Sequence, residues 1–168
     1  MNNIILIGFM GSGKTTIGMK LAQKYQWTFL DTDQLVEKKE NMKISTIFQN
    51  HGEAYFRDLE TVCLKELDNG VEKQIISVGG GLPLRSENRE LLKKIGKVIY
   101  LKAKAETIYS RLKYNTDRPL LQGENPEEKI RTMLLDREKF YLEAADIIVE
   151  VDNQSYEEVV NAVEEKLE

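Results

Sequence analysis

The sequence predicts an α/β fold built on a parallel sheet, and three observations lead there. Short β-branched apolar runs alternate along the chain with longer stretches of helical periodicity, the pattern of repeated strand–helix crossover units. Those runs are contiguous rather than alternating in polarity, as expected for strands covered on both faces. The first run leads into Gly8-Phe9-Met10-Gly11-Ser12-Gly13-Lys14-Thr15, which matches G-x-x-x-x-G-K-[ST] between a strand and a helix.

Ile4–Ile7 reads as the first strand and Thr15–Tyr25 as a helix, with Ile17, Leu21 and Ala22 towards the core. Trp27–Leu30 is the second strand, followed by helical segments at 33–40, 44–49 and 53–68. Ile75–Val78 is the third strand and 86–95 its following helix; Val98–Leu101 is the fourth, followed by 104–113. A helix over 126–143 starts well, because two glutamates follow Pro126 and suit the positive end of the helix dipole. Asp146–Val151 is the fifth strand and 155–167 the last helix. The stretch 31–74 is too long for one crossover helix and reads as an acceptor-binding insertion. Residues 113–125, punctuated by Asn, Gly and Pro, read as an exposed loop.

At 168 residues the chain suits a single domain with one core. Its 24 basic and 28 acidic residues give a net charge of −4, which offers no reason to expect general binding to nucleic acid or an anionic membrane. No secretory signal is visible, and no apolar stretch approaches the roughly 20 residues needed to span a bilayer. One cysteine excludes an internal disulfide framework or a cysteine-cluster metal site. Cys63 reads as a small buried hydrophobe, and the cytoplasm is the expected compartment.

The glycine-rich loop points to a nucleoside triphosphate. Gly8, Gly11 and Gly13 permit close anion approach, and backbone N–H groups at the helix start hold phosphate oxygens. Lys14 supplies charge near the β and γ phosphates, Thr15 offers a hydroxyl to Mg²⁺, and Thr16 adds a further polar group. Asp31 and Asp33 follow the second strand, where ligands of a parallel sheet gather. On the residues alone they serve either the metal and phosphate site or the next helix as cap and first-turn acids.

The acceptor side carries Phe48, His51, Phe56, Arg57 and Glu60. Arg57 and Glu60, three apart, form either a surface ion pair or a fork for a carboxylate or phosphate. His51 is the only histidine and has no nucleophile or metal cluster in the pattern. Gly79-Gly80-Gly81 ends the third strand, where absent side chains let a ligand touch backbone. Arg118-Pro119 sits in the exposed loop, where an arginine brought over the phosphates would exclude water and stabilise charge. Arg137 and Tyr141 lie four apart on one helix face, and Arg111 lies on the preceding helix.

Taken together, Gly8…Lys14-Thr15, Asp31-Thr32-Asp33, Gly52-Glu53…Phe56-Arg57…Glu60, Gly79-Gly80-Gly81, Arg118-Pro119-Leu120-Leu121 and Arg137…Tyr141 resemble the shikimate kinase family in order and spacing. The resemblance implies a three-layer α/β/α P-loop NTPase fold like that of the nucleoside-monophosphate kinases. It carries a five-stranded parallel sheet in the order 2-3-1-4-5, an acceptor-binding region about 32–62 and a lid about 112–125. It implies transfer of the γ-phosphate of ATP to the 3-hydroxyl of shikimate, in aromatic amino-acid biosynthesis, by a monomer.

By the same resemblance, Lys14, Asp33 and Arg118 are catalytic. Gly11, Ser12, Gly13, Lys14, Thr15, Thr16, Arg111, Arg118 and Asn153 bind the nucleotide, and Thr15 and Asp31 organise Mg²⁺, Asp31 through water. Asp33, Phe48, Phe56, Arg57, Gly79, Gly80, Gly81 and Arg137 bind shikimate, with Glu60 orienting Arg57. Met10 occupies a loop position that could touch the acceptor. The sequence lacks an arginine in the adenine loop near 152–155, and Leu82-Pro83 follows the glycine triplet where a small residue is more usual. The competing readings are another small-molecule P-loop kinase acting on gluconate or a nucleotide, and a non-catalytic ATP-binding switch.

Overall fold

The computed structural model describes residues 2–113 and 123–168. Among them are strands β1 (Asn3–Ile7), β2 (Thr28–Asp31), β3 (Gln74–Ser77), β4 (Lys97–Lys102) and β5 (Ile147–Glu150). All pair in parallel, in the order β2-β3-β1-β4-β5. The five strands fall where the apolar runs place them, and their order is the one the resemblance implies.

The helices are α1 (Lys14–Tyr25), α2 (Thr32–Glu40), α3 (Ile44–Leu67), α4 (Ser86–Ile95), α5 (Ala105–Leu112), α6 (Pro126–Ala144) and α7 (Tyr156–Leu167), with one 3₁₀ turn at Leu82–Leu84. Left-handed residues end the first two helices, Gln26 at φ 58° and Asn41 at φ 53°. The helical segments 44–49 and 53–68 join into α3, broken at Gly52, whose φ of 84° and ψ of 173° lie outside the helical range. Ser155 and Glu158 form a reciprocal capping box that starts α7.

Successive side chains of a strand point to opposite faces, and β1 shows how this builds three layers. Ile4 and Leu6 join a core with Ile17 and Leu21 of α1, Ile108 of α5 and Val159 and Val163 of α7. Ile5 and Ile7 join a second core with Leu64 of α3, Leu92 of α4 and Tyr141 of α6. A smaller cluster, Val36, Ile47, Phe56 and Cys63, packs α2 against α3. Burial pushes the Cys63 thiol up to about 11, so it acts there as a hydrophobe. β1 pairs with β3 on one side and β4 on the other, which puts the topological switch point at its carboxyl end. Among the described residues no helix is long and apolar enough to cross a membrane.

Candidate active site

A cleft of about 490 Å³ opens at that end of β1, lined on one side by Gly13, Lys14 and Thr15 and on the other by Asp31, Asp33 and Gly79. The donor side is built by the turn from β1 into α1. Gly13 holds φ 100° and caps α1 without a side-chain hydrogen bond. A glycine meets that left-handed angle at little cost and leaves the first helical N–H groups to an anion. The Lys14 ammonium donates to the carbonyl oxygens of Gly8 at 2.7 Å and Phe9 at 3.0 Å, which holds its charge within the loop. Ser12 Oγ is buried without a hydrogen-bond partner. Together these features fit polyphosphate oxygens, and the chain is a nucleotide-binding protein.

Arg111 closes the outer side of the loop. Its Nη1 donates to Gly11 O at 3.1 Å, and its Cζ lies 5.6 Å from the centre of the Tyr156 ring. Tyr156 also lines the cleft, and sequence reasoning missed it. Asn153 lies in the preceding turn, exposed, at φ 58°.

Asp31 caps the next helix and also faces the cleft. Its Oδ1 accepts from the N–H groups of Asp33 at 2.9 Å and Gln34 at 3.3 Å, capping α2, while the residue also lines the cleft. Asp33 is pushed up to about 6 by burial and by the Asp31 charge, against the pull of Lys14. Thr15 and Asp31 are hard oxygen donors facing one cleft, and among the described residues no cluster of three or more His, Cys, Asp or Glu residues could hold a metal. That donor set fits Mg²⁺ with its remaining positions taken by phosphate oxygens and water.

The acceptor side is organised around the glycine triplet. Gly79 N donates to buried Thr32 Oγ1 at 3.1 Å, and Gly80 O accepts from the Tyr141 hydroxyl at 2.7 Å. A Cβ at Gly81 would sit 2.4 Å from Arg57 Nη2, and one at Gly80 would sit 3.5 Å from Arg137 Nη1. The two guanidinium groups therefore rest on consecutive glycines from opposite elements, α3 and α6. Arg137 also stacks on Phe9, 5.5 Å from the ring centre.

Arg57 and Glu60 do form the ion pair suggested by their spacing, at 2.7 Å, but it is buried rather than superficial. The Glu60 side chain is 1% exposed against 17% for Arg57. Burial pushes the Glu60 carboxyl up to about 7, with Arg57 opposing. Phe48 and Phe56 pair at 5.0 Å between ring centres, Phe56 buried and Phe48 exposed. His51 is exposed in α3, its ring 4.4 Å from that of Tyr55. Arg118 and most of the expected lid lie outside the described residues.

Comparison with known proteins identifies the family. The family model for shikimate kinase matches residues 10–168. A shikimate kinase of Thermodesulfovibrio yellowstonii is 45% identical over 97% of this chain and 93% of its own length. One from Caldanaerobacter subterraneus is 44% identical over 97% and 94%. Among solved structures, a shikimate kinase from Acinetobacter baumannii in complex with shikimate superposes with a TM-score of 0.92 at 38% identity, covering 99% of this chain and 93% of that one. On sequence and fold alike, the chain belongs to the shikimate kinase family.

Proposed function

We propose a residue-level assignment for the family's reaction in this chain. The chain is an ATP-dependent phosphotransferase that moves the γ-phosphate of ATP to shikimate. In the proposed assignment, the 3-hydroxyl is the attacking group. The observation that carries it is the pairing of Arg57 and Arg137 on Gly81 and Gly80, in the same region as Lys14 and Asp33. Two guanidinium forks converging on a turn free of side chains suit a carboxylate. Asp33, at the opposite end of that turn, suits a ring hydroxyl and accepts its proton as the new O–P bond forms. Phe48 and Phe56 border the apolar face of the ring, and Glu60 holds Arg57 in place.

Lys14 and the N–H groups of Gly11, Ser12 and Gly13 hold the phosphates, with Thr16 beside them. Mg²⁺ held by Thr15 and Asp31 would neutralise phosphate charge. Arg111, Tyr156 and the turn at Asn153 flank the base, and Arg118 contacts the transferring group from the lid at about 112–125. No covalent intermediate is required, since positioning and charge stabilisation supply the catalysis. The reading is of one domain over 1–168, with the acceptor region about 32–62, working as a monomer in the cytoplasm.

Measurement of ADP release with and without shikimate tests this reading. Shikimate-dependent release is the expected result. Release driven instead by gluconate or a nucleotide would replace the acceptor assignment. ATP binding without release on any acceptor would make the chain a switch module.

A further inference from the structure

The two oxygens of the Glu60 carboxyl have unequal surroundings. Oε1 accepts from Arg57 Nη1 at 2.7 Å, whereas Oε2 is buried with no hydrogen-bond partner. A Cβ at Gly79 would sit 3.0 Å from Oε2 and 2.7 Å from Asp33 Oδ1, so two carboxyl groups crowd the same glycine. The charged groups around Glu60 come from three elements. Arg57 lies on its own helix and also pairs with Glu53 at 3.4 Å; Asp33 lies on α2; Arg85, beyond the 3₁₀ turn, pairs with Asp58 at 2.8 Å. One guanidinium thus already serves Glu60 and Glu53. Docking the acceptor's carboxylate there adds another anion to a poorly solvated site, which is costly unless a charge is neutralised.

We propose that Glu60 takes up a proton when the acceptor's carboxylate docks on Arg57, so that the acid and one proton bind together. This rests on the assignment of Arg57 as a carboxylate ligand. The proton comes from solvent and forms an O–H bond at Oε2, the oxygen without a partner, while Oε1 continues to accept from Arg57. When product leaves, the proton returns to water, and no other bond changes. Burial already holds this carboxyl near 7 in the free protein, and a further anion raises it. Uptake is therefore absent at acid pH, where Glu60 is already neutral, and grows as pH rises through neutrality. Affinity for the acceptor weakens over the same range, by at most about tenfold per pH unit.

The test is calorimetric titration of the full chain with shikimate in two buffers of different ionisation enthalpy, repeated across neutral pH. The expected result is uptake rising towards one proton for the native chain, and binding without uptake in Glu60→Gln. Native binding with no proton exchange overturns the proposal while leaving the acceptor assignment intact, as does full uptake retained by Glu60→Gln. Failure of shikimate to bind the native chain removes both readings. If Glu60→Gln does not fold, infrared difference spectra of native protein carrying ¹³C-labelled glutamate decide the matter. A protonated-carboxyl band of the labelled glutamate must appear on adding shikimate, and its absence overturns the proposal.

Discussion

The Tyr141 phenol donates to the carbonyl oxygen of Gly80 at 2.7 Å, tying α6 to the turn that ends β3. Arg137 projects from the same helix one turn earlier and reaches the same glycine. A helix is stiff over one turn, so the tyrosine fixes the distance from which the arginine works.

Tyr141→Phe removes this donor from a part-buried carbonyl. The expected loss of stability is about 0.5–1.5 kcal/mol, which is a fall in Tm of roughly 2–4 °C per kcal/mol at this size. Thermal melts measure that loss. Steady-state assays should show a raised shikimate KM with the ATP KM little changed.

Gly81→Ala should act on the acceptor and spare the fold. Gly81 has φ −95° and ψ −5°, which any residue adopts, and the nearest atoms the new Cβ meets belong to the Arg57 guanidinium, a side-chain end rather than backbone. Displacing one charge-assisted contact should raise the shikimate KM about 10- to 100-fold. An unchanged KM would remove Arg57 from the acceptor site.

Gly96→Ala is the contrasting case. Its Cβ would meet the backbone oxygen of Asn3 at 2.4 Å, and neither backbone can swing aside. We expect a loss of about 1–3 kcal/mol with normal KM values in the folded fraction, checked by denaturant titration beside kinetics.

The pH dependence of stability follows from Glu60, whose folded value of about 7 lies above its ordinary 4.5. Between those values the folded state binds more protons than the unfolded one, so this group's contribution to stability falls as pH rises. Tm should therefore rise on acidification from about pH 8 towards pH 5, and Glu60→Gln should flatten that slope. Asp33, raised by burial to about 6, acts in the same direction. Scanning calorimetry of both proteins across this range is the check.

Lys14→Ala should lower shikimate-dependent ADP release by at least about 100-fold, the scale of losing one charge-stabilising group in a closed site. Circular dichroism should remain native. Near-normal turnover would refute the assignment of Lys14.

What was legible in the sequence is what is local. The run Ile4–Ile7, the loop through Lys14 and the break at Gly52 declare themselves within a few residues. The Arg57–Glu60 spacing allows the two side chains to meet, yet the depth of that pair depends on Gly79, far along the chain, having no side chain. Thr32 reads as a spacer between two aspartates until β3 brings the Gly79 amide to its hydroxyl. Tyr156 reads as an ordinary helix-start aromatic, and only the packing of α7 against α1 sets it beside Gly13. Long-range contacts of this kind leave no periodic or motif signal.

The hold that Lys14 keeps on Gly8 and Phe9 gives the phosphate loop an internal competitor. An arriving ligand competes for the ammonium with two neutral carbonyls that already accept from it. Both carbonyl bonds are already charge-assisted by the ammonium, so an anionic oxygen wins by adding attraction between opposite charges, and a neutral hydroxyl or amide gains little. The loop thereby sets its own threshold for entry and selects for charge before any contact with the base is made.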